Sequence, residues 1–237
     1  LRSSIQREAL AELIADVDNI RSALEWALAR KEFALIETTM RAYSTFLDTL
    51  GWAGEGLDYL GRVKDVLETK SPLSRTEQVA FAHVLTSRSL FAFRMGKYEQ
   101  AHTMLTRSLE ILRSINEPRI LVEAVTFMGI ITIITGDLVG SSKLFMEGLQ
   151  IARDINDQWY EALCLTEVVG INLMTGTAND IHKQFQPAVE AWRKTGDQRF
   201  TAFGLTSLSL GAMAARKYDD AYAALEESLT INSSIGD

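Results

Sequence analysis

Few side chains in this 237-residue sequence have the type and spacing that catalysis or metal binding requires. The histidines are His83, His102 and His182, and the last two lie two sequence repeats apart. Stacked helical layers are about 10 Å thick, whereas a metal needs its nitrogen ligands within about 2.1 Å. His102 and His182 therefore cannot share an ion, and we expect surface or helix-capping histidines. The single cysteine, Cys164, is flanked by leucines, which predicts a buried thiol rather than a reactive one.

Other catalytic signatures are equally weak. The run Gly51–Gly56 superficially resembles a phosphate-binding loop, but Leu57 stands where such loops carry lysine, and no strand precedes it. A turn between two helices explains it better. The adjacent carboxylates Glu226 and Glu227 splay apart on a helix and are expected to be solvated. Because no nucleophile motif is present either, we expect no catalytic activity, no metal and no cofactor.

Composition excludes further classes of function. Apolar residues make up 47% of the chain and charged residues 23%, which is typical of a folded protein. The net charge of −7 has the wrong sign for a general binder of nucleic acid or anionic membranes. The most apolar stretch, Ile120–Thr135, contains Glu123 and is shorter than the roughly 20 residues of a membrane span. The chain starts at Leu1 without a signal-peptide pattern, so we expect a cytoplasmic segment of a longer protein.

A period of 40 residues organises most of the chain. Gly96, Gly136 and Gly176 recur at this step, and the run Gly96–Ala101 is echoed by Arg216–Ala221. Threonine recurs with the same period at another position of the repeat, at Thr86, Thr126, Thr166 and Thr206. So many coincidences at one step indicate tandem structural repeats.

Each repeat has the pattern of two helices joined by a short turn. Apolar residues spaced by three and four predict helices over about Glu77–Met95 and Tyr98–Ser114. A weaker repeat precedes these, with helices over Glu32–Leu50 and Ala53–Thr69. Pro187 should kink or interrupt the second helix of a later repeat. No segment alternates with the period of a strand, so the predicted fold class is all-α.

Two regions are predicted. Residues 1–31 form leading helices over Ser4–Ala15 and Asp18–Arg30, as one bent helix or two short ones, with Asp18 as a helix N-cap. The repeat array occupies residues 32–237, with units of about 32–76, 77–116, 117–156, 157–196 and 197–237.

The units resemble tetratricopeptide repeats (TPRs), although the common length is 34 residues. The resemblance is carried by a Gly-x-Tyr turn and by small residues at Ser89, Gly129, Ser209, Ala101 and Ala221. Longer units are similar to those of bacterial STAND signal-transduction ATPases, including maltose-activator-like and LuxR-like regulators. The run Asp16–Ala27, which contains Asn-Ile-Arg-Ser-Ala-Leu-Glu-Trp, resembles the helix that opens such arrays. The resemblance implies a right-handed superhelix (α-solenoid) of antiparallel helix pairs that acts as a sensor.

The TPR register places the first helix of each pair on a concave face. The candidate binding residues there are Thr86, Leu90, Phe93, Arg94, Thr126, Ile130, Ile133, Ile134, Thr166, Leu173, Met174, Thr206, Leu210 and Met213. An exposed surface made of so many apolar residues is expected to be covered by other protein or by a ligand. Three explanations stay open: the residues pack between helices, they bind an amphipathic helix or extended peptide, or they hold a small effector oriented by the threonines. The threonines can instead bond carbonyls of their own helices, which we favour.

The expected function is that of a non-catalytic sensor domain in a larger bacterial STAND-type ATPase or transcriptional regulator. A ligand would shift the regulator's equilibrium by its differential affinity for two states. Its partner would be a peptide or protein segment, an intramolecular helix of the parent protein, or a small effector, with no direct contact to nucleic acid or membrane. The alternative is a structural scaffold that self-associates. Because Arg94 is the one cation on the candidate face, we expect no recognition of acidic C-terminal tails, and Arg94→Glu should change little.

Overall fold

The structure, a computed structural model, describes residues 6–176 and 180–235. Twelve α-helices and no strand are found in this part of the chain, which confirms the all-α prediction. The helices are α1 (Gln6–Ala15), α2 (Val17–Ala29), α3 (Phe33–Thr49), α4 (Ala53–Glu68), α5 (Arg75–Arg94), α6 (Tyr98–Ile115), α7 (Pro118–Ile134), α8 (Leu138–Asp154), α9 (Gln158–Thr175), α10 (Ile181–Thr195), α11 (Gln198–Ala214) and α12 (Tyr218–Ile235).

The helix boundaries recur with the 40-residue period of the sequence. The first helices α7, α9 and α11 begin at Pro118, Gln158 and Gln198, each 40 residues after the last. The chain divides into two compact units, of which the first spans Glu8–Thr135 and the second begins at Gly136. The first unit contains α2–α7, and the second contains α8–α12.

In the first unit, α5 is the central helix and contacts α3, α4, α6 and α7. Every residue from Ala80 to Ser87 is buried, so α5 is enclosed on all sides instead of along one stripe. The backbone of α4 approaches α5 closely at Gly56, which lies against the ring of Phe91. The glycine run Gly51–Gly56 thus forms a helix turn, as predicted, and then a close contact between helices.

In the second unit, α9 contacts α8, α10 and α11, and α11 also contacts α12. An aromatic cluster fixes the start of α9 and α11: the ring centroid of Phe200 lies 4.7 Å from Trp159 and 5.0 Å from Trp192. Asp197 joins these parts because its carboxylate accepts hydrogen bonds from Trp159 Nε1, at 3.0 Å, and from the backbone N–H of Phe200, at 3.1 Å. One buried side chain therefore caps α11 and holds the indole of α9 in place.

The turns inside the helix pairs explain the periodic glycines. Gly96, Gly136 and Gly176 adopt positive φ angles of 73°, 85° and 66°, in the left-handed region that only glycine enters without strain. Arg216 stands at the same position with φ of 58°, where a side chain costs about 1–2 kcal/mol. The turns between successive pairs use the same conformation at Asn116, Asn156 and Gly196.

Two local predictions differ from the structure. Asp16, not Asp18, is the N-cap of α2. The leading region forms two helices, which is one of the two alternatives that the sequence predicted. α10 continues through Pro187 without interruption. Pro187 and Lys183, whose carbonyl loses its helical donor, are both exposed, so water can replace the missing hydrogen bond. Before Pro187, residues 177–179 lie outside the described part of the chain, and the helix begins at Ile181.

The glycines inside the first helices serve different purposes. A β-carbon on Gly211 would lie 2.7 Å from Cδ2 of Phe185, and one on Gly204 would lie 2.7 Å from Cδ1 of Trp192. These two glycines are therefore required by the packing of α11 on α10. A β-carbon on Gly170 of α9 would meet nothing within 4 Å among the residues that the structure describes. Packing against these residues does not explain Gly170.

Replacing these glycines with alanine should have opposite effects on stability. Gly211→Ala should lower the free energy of unfolding by about 1–3 kcal/mol because the ring of Phe185 is buried and cannot move aside. Gly170→Ala should raise it by about 0.5–1 kcal/mol, because alanine orders more easily in a helix and has space there. Urea unfolding followed by circular dichroism measures both. Equal effects of the two substitutions would contradict the packing described above.

Candidate partner-binding face

The predicted threonine ladder lies within the helices rather than on an open face. Thr86, Thr126 and Thr166 are buried, and Thr206 is exposed. Each hydroxyl donates a hydrogen bond of 2.6–3.0 Å to the carbonyl four residues earlier, at Ala82, Val122, Ala162 and Ala202 respectively. This is the alternative that the sequence favoured for these hydroxyls.

Three of these threonines also contact the second helix of their pair. Thr86 Oγ1 lies 2.8 Å from Ser108 Oγ, and Thr206 Oγ1 lies 3.1 Å from Ser228 Oγ. In the α9/α10 pair, the Trp192 indole donates a hydrogen bond to Thr166 Oγ1 instead, at 2.9 Å. The threonines therefore join helices, and the face that a partner could reach must be sought at other positions.

In the first unit, the ends of α5 and α7 expose part of their apolar side chains. We call this the α5/α7 face, and its residues are Leu90, Phe93, Arg94, Ile130, Ile133 and Ile134. Ile134 is 46% exposed, whereas the other apolar members are half-buried. Packing between helices therefore accounts for much of this face, but not for Ile134.

Arg94, the predicted cation of this face, is already paired. Its guanidinium donates two hydrogen bonds to the Asp48 carboxylate of α3, with N–O distances of 2.6 and 2.8 Å. This hydrogen bonding raises the pKa of Arg94 further above its usual range. An acidic ligand would have to compete with Asp48, which supports the expectation that acidic tails are not recognised.

The same unit contains a layer of buried and half-buried polar side chains that the sequence did not predict. His83 Nδ1 of α5 lies 3.1 Å from Glu37 Oε1 of α3. Arg41 Nε of α3 lies 3.3 Å from Glu123 Oε2 of α7, and Arg41 also donates to the carbonyl of Arg119 at 2.7 Å. The hydrogen bond from His83 lowers the pKa of Glu37. Three consecutive first helices are thus connected by polar contacts.

The histidines correct the surface prediction. His83 is buried in this polar layer, and His182 of α10 is buried with Nε2 3.5 Å from the Asp220 carboxylate. Only His102 is exposed, because packing of one helix on the next covers the other two. Cys164 is a buried thiol, as predicted.

In the second unit, the apolar residues of α9 and α11 are more exposed. We call this the α9/α11 face, made of Leu173, Met174, Phe203, Leu210 and Met213. Leu173 packs against the core formed by other residues of α9 and α10. In contrast, Met174, Leu210 and Met213 are 61%, 48% and 43% exposed, respectively. Neighbouring residues of one helix thus divide between core and surface.

Glu167 lies two turns before Met174 on α9 and is half-buried. Burial raises the pKa of its carboxyl group to about 7, because the charged form loses water around it. A spacing of three residues puts Gly170, with its open surroundings, on the same side of the helix. A carboxyl group that titrates near neutrality therefore borders the α9/α11 face.

The first unit also contains a cavity of about 350 Å³. Its guanidinium groups are already bonded: Arg21 donates to Glu55 at 2.7 and 2.8 Å, and Arg62 pairs with Glu25. Tyr43, at its floor, donates to Glu55 at 3.0 Å. The polar groups of this cavity thus satisfy one another and leave little for a ligand to bind.

Signs of other chemistry are lacking in the described parts of the chain. Residues 6–176 and 180–235 contain no group of histidine, cysteine and carboxylate side chains that could hold a metal ion. Across these same residues, no helix combines the length and apolarity that crossing a membrane requires. Glu226 and Glu227 are exposed, as predicted.

The sequence matches no protein-family model and no curated protein. Several solved structures are similar in fold. BtubC (BKLC) from P. vanneervenii aligns with a TM-score of 0.71 at 10% identity, over 96% of this chain and 92% of that one. A STAND protein with a tetratricopeptide repeat sensor from Pyrococcus horikoshii aligns with a TM-score of 0.65 at 16% identity, over 93% of this chain but 35% of that one.

A third similar structure is a Rap protein in complex with competence and sporulation factor, with a TM-score of 0.54 at 12% identity. The alignment covers 90% of this chain and 74% of the Rap protein. At such identities the similarities establish the fold alone. They confirm the prediction of TPR-like helical repeats.

Glu167→Gln should change how stability depends on pH. The carboxyl pKa is about 7 in the folded chain against an ordinary value of 4.5, so the folded state holds its proton longer. Between these values the free energy of unfolding of the wild type should therefore fall as pH rises. The variant should match the wild type near pH 4 and melt at a higher temperature at pH 8. Thermal melting across this range measures the difference, and exposed Glu190→Gln is the control that should show no such gain.

Proposed function

We propose that this chain is a non-catalytic sensor domain that binds a peptide or protein segment on the α9/α11 face. The observation that carries the proposal is the exposure of Met174, Leu210 and Met213 on two neighbouring first helices. Single exposed apolar residues are normal, but a group of them on one surface marks an interaction site. The fold supports this because helical repeats present the surfaces of consecutive helices side by side.

The proposed parent is a bacterial STAND-type ATPase or transcriptional regulator in the cytoplasm. The TPR sensor of the Pyrococcus horikoshii STAND protein supports it, since the similarity covers 93% of this chain. The complex of a Rap protein with competence and sporulation factor shows that a protein of similar fold binds another factor. Bound ligand would act on the parent by favouring one of two states, to the extent of its differential affinity.

A matched pair of methionines tests the α9/α11 face. Met174 of α9 is 61% exposed and Met146 of α8 is 60% exposed, so glutamate at either position should leave stability within about 0.5 kcal/mol. We expect pools of peptides and metabolites to raise the melting temperature of the wild type, because a ligand at 100 times its Kd adds about 2.7 kcal/mol. Met174→Glu should abolish this shift, and Met146→Glu should preserve it. The proposal is wrong if no pool shifts the wild type, or if both variants respond alike.

A structural scaffold remains the second candidate because of one observation on α12. Leu225 of that helix is exposed, whereas the equivalent Leu105, Phe145 and Phe185 are buried at the same repeat position, and Leu229 is exposed as well. An open face of this kind can associate with a second copy of the chain.

Light scattering against concentration distinguishes the scaffold from the sensor. A scaffold should increase in mass as its concentration rises, and Leu229→Lys should restore the monomer because the lysine charge would be buried in the contact. A sensor that acts through the α9/α11 face should remain monomeric with either residue at position 229. Self-association that Leu229→Lys leaves unchanged would contradict the scaffold as described.

A further inference from the structure

One side of α9 carries an unusual set of residues. Leu163, Glu167, Gly170 and Met174 are spaced by four, three and four residues, so they line one side of the helix. Leu163 is buried and Met174 is exposed, so this stripe runs from the core to the surface. Glu167 and Gly170 lie between these ends, where apolar side chains would be the ordinary choice.

Glu167 has lost water without gaining a cation. Two other glutamates of the second unit are paired with arginine: Glu161 lies 3.0 Å from Arg153, and Glu227 lies 2.7 Å from Arg193. Loss of water is the sole cause of the raised pKa of Glu167. Within residues 6–176 and 180–235, no ion pair offsets this loss. A half-buried carboxylate is stabilised when a cation arrives to pair with it.

Gly170 adds a second, independent observation. Glycine inside a helix costs about 1 kcal/mol relative to alanine. Contacts with the described part of the chain explain this cost at Gly204 and Gly211 but not at Gly170. Open space beside a helical glycine lets another polypeptide approach the helix backbone closely. This approach would be one turn away from Glu167.

We propose that the α9/α11 face binds a segment in which a lysine or arginine is flanked by apolar residues. The cation pairs with Glu167, the segment passes over Gly170, and its apolar side chains contact Met174 and Leu210. The inference rests on the proposed function and specifies the chemistry of its partner. The net charge of −7 for the whole chain also favours approach of a basic segment.

The alternative at Glu167 is a neutral carboxylic acid that donates a hydrogen bond to an uncharged partner. The two cases differ in their response to the partner's charge. Citrulline has the shape of arginine but a neutral side chain, so it separates charge pairing from simple hydrogen bonding.

The experiment selects peptides from a random phage-displayed dodecapeptide library on the purified chain. We expect the selected peptides to carry lysine or arginine between apolar residues. A synthetic arginine peptide from this set should bind the wild type at least about tenfold more tightly than its citrulline form, by titration calorimetry. Glu167→Gln should remove this difference, and the matched Glu190→Gln should keep it. Gly170→Leu should weaken both forms because its side chain occupies the path of the segment.

The outcomes separate this inference from the proposed function. Selection of peptides without basic residues, or an arginine preference that Glu167→Gln leaves unchanged, overturns the role of Glu167. The proposed function survives that result if Met174→Glu still abolishes binding of the selected peptides. Failure to select any peptide on the wild type overturns both. Because Glu167→Gln removes a destabilising charge, the variant should fold, and its melting curve verifies this before binding is measured.

Discussion

Two helix pairs depend on small side chains that allow their helices to approach while the hydroxyls between them stay hydrogen-bonded. Thr86 and Ser108 meet this constraint for α5 and α6, and Thr206 and Ser228 meet it for α11 and α12. A buried hydroxyl without a partner costs about 1–3 kcal/mol, so each pair has one preferred alignment. Once the alignment is fixed, it also determines which side chains lie outside the packed interface between the helices.

The proposed site consists of residues that do not take part in this packing. On α9, Thr166 is used to bind the neighbouring indole, whereas Met174 contributes little to the core. Among the residues that the structure describes, no cation pairs with the half-buried Glu167 and no side chain lies close to the helical Gly170, so both positions break local rules. Violations of this kind are expected at functional positions, where a partner compensates for them.

The sequence predicted the repeat accurately because its strongest signals are local. Positive φ angles favour glycine at Gly96, Gly136 and Gly176, whatever surrounds them. The candidate face was harder to predict, because Leu173 and Met174 are both apolar and only a rotation of about 100° between adjacent helix positions decides which is buried. Contacts such as His83 with Glu37 join distant segments, so spacing along the chain gives no sign of them.

The polar layer of the first unit has a mechanical consequence. Arg41 and His83 each have their partner on another helix, so sliding one of these helices by a single turn would separate Arg41 from Glu123 and break the hydrogen bond between His83 and Glu37. Small deformations of this region therefore meet a steep barrier, and intermediate positions are unfavourable. The first unit should therefore move as a rigid body and transmit a displacement fully, without deforming.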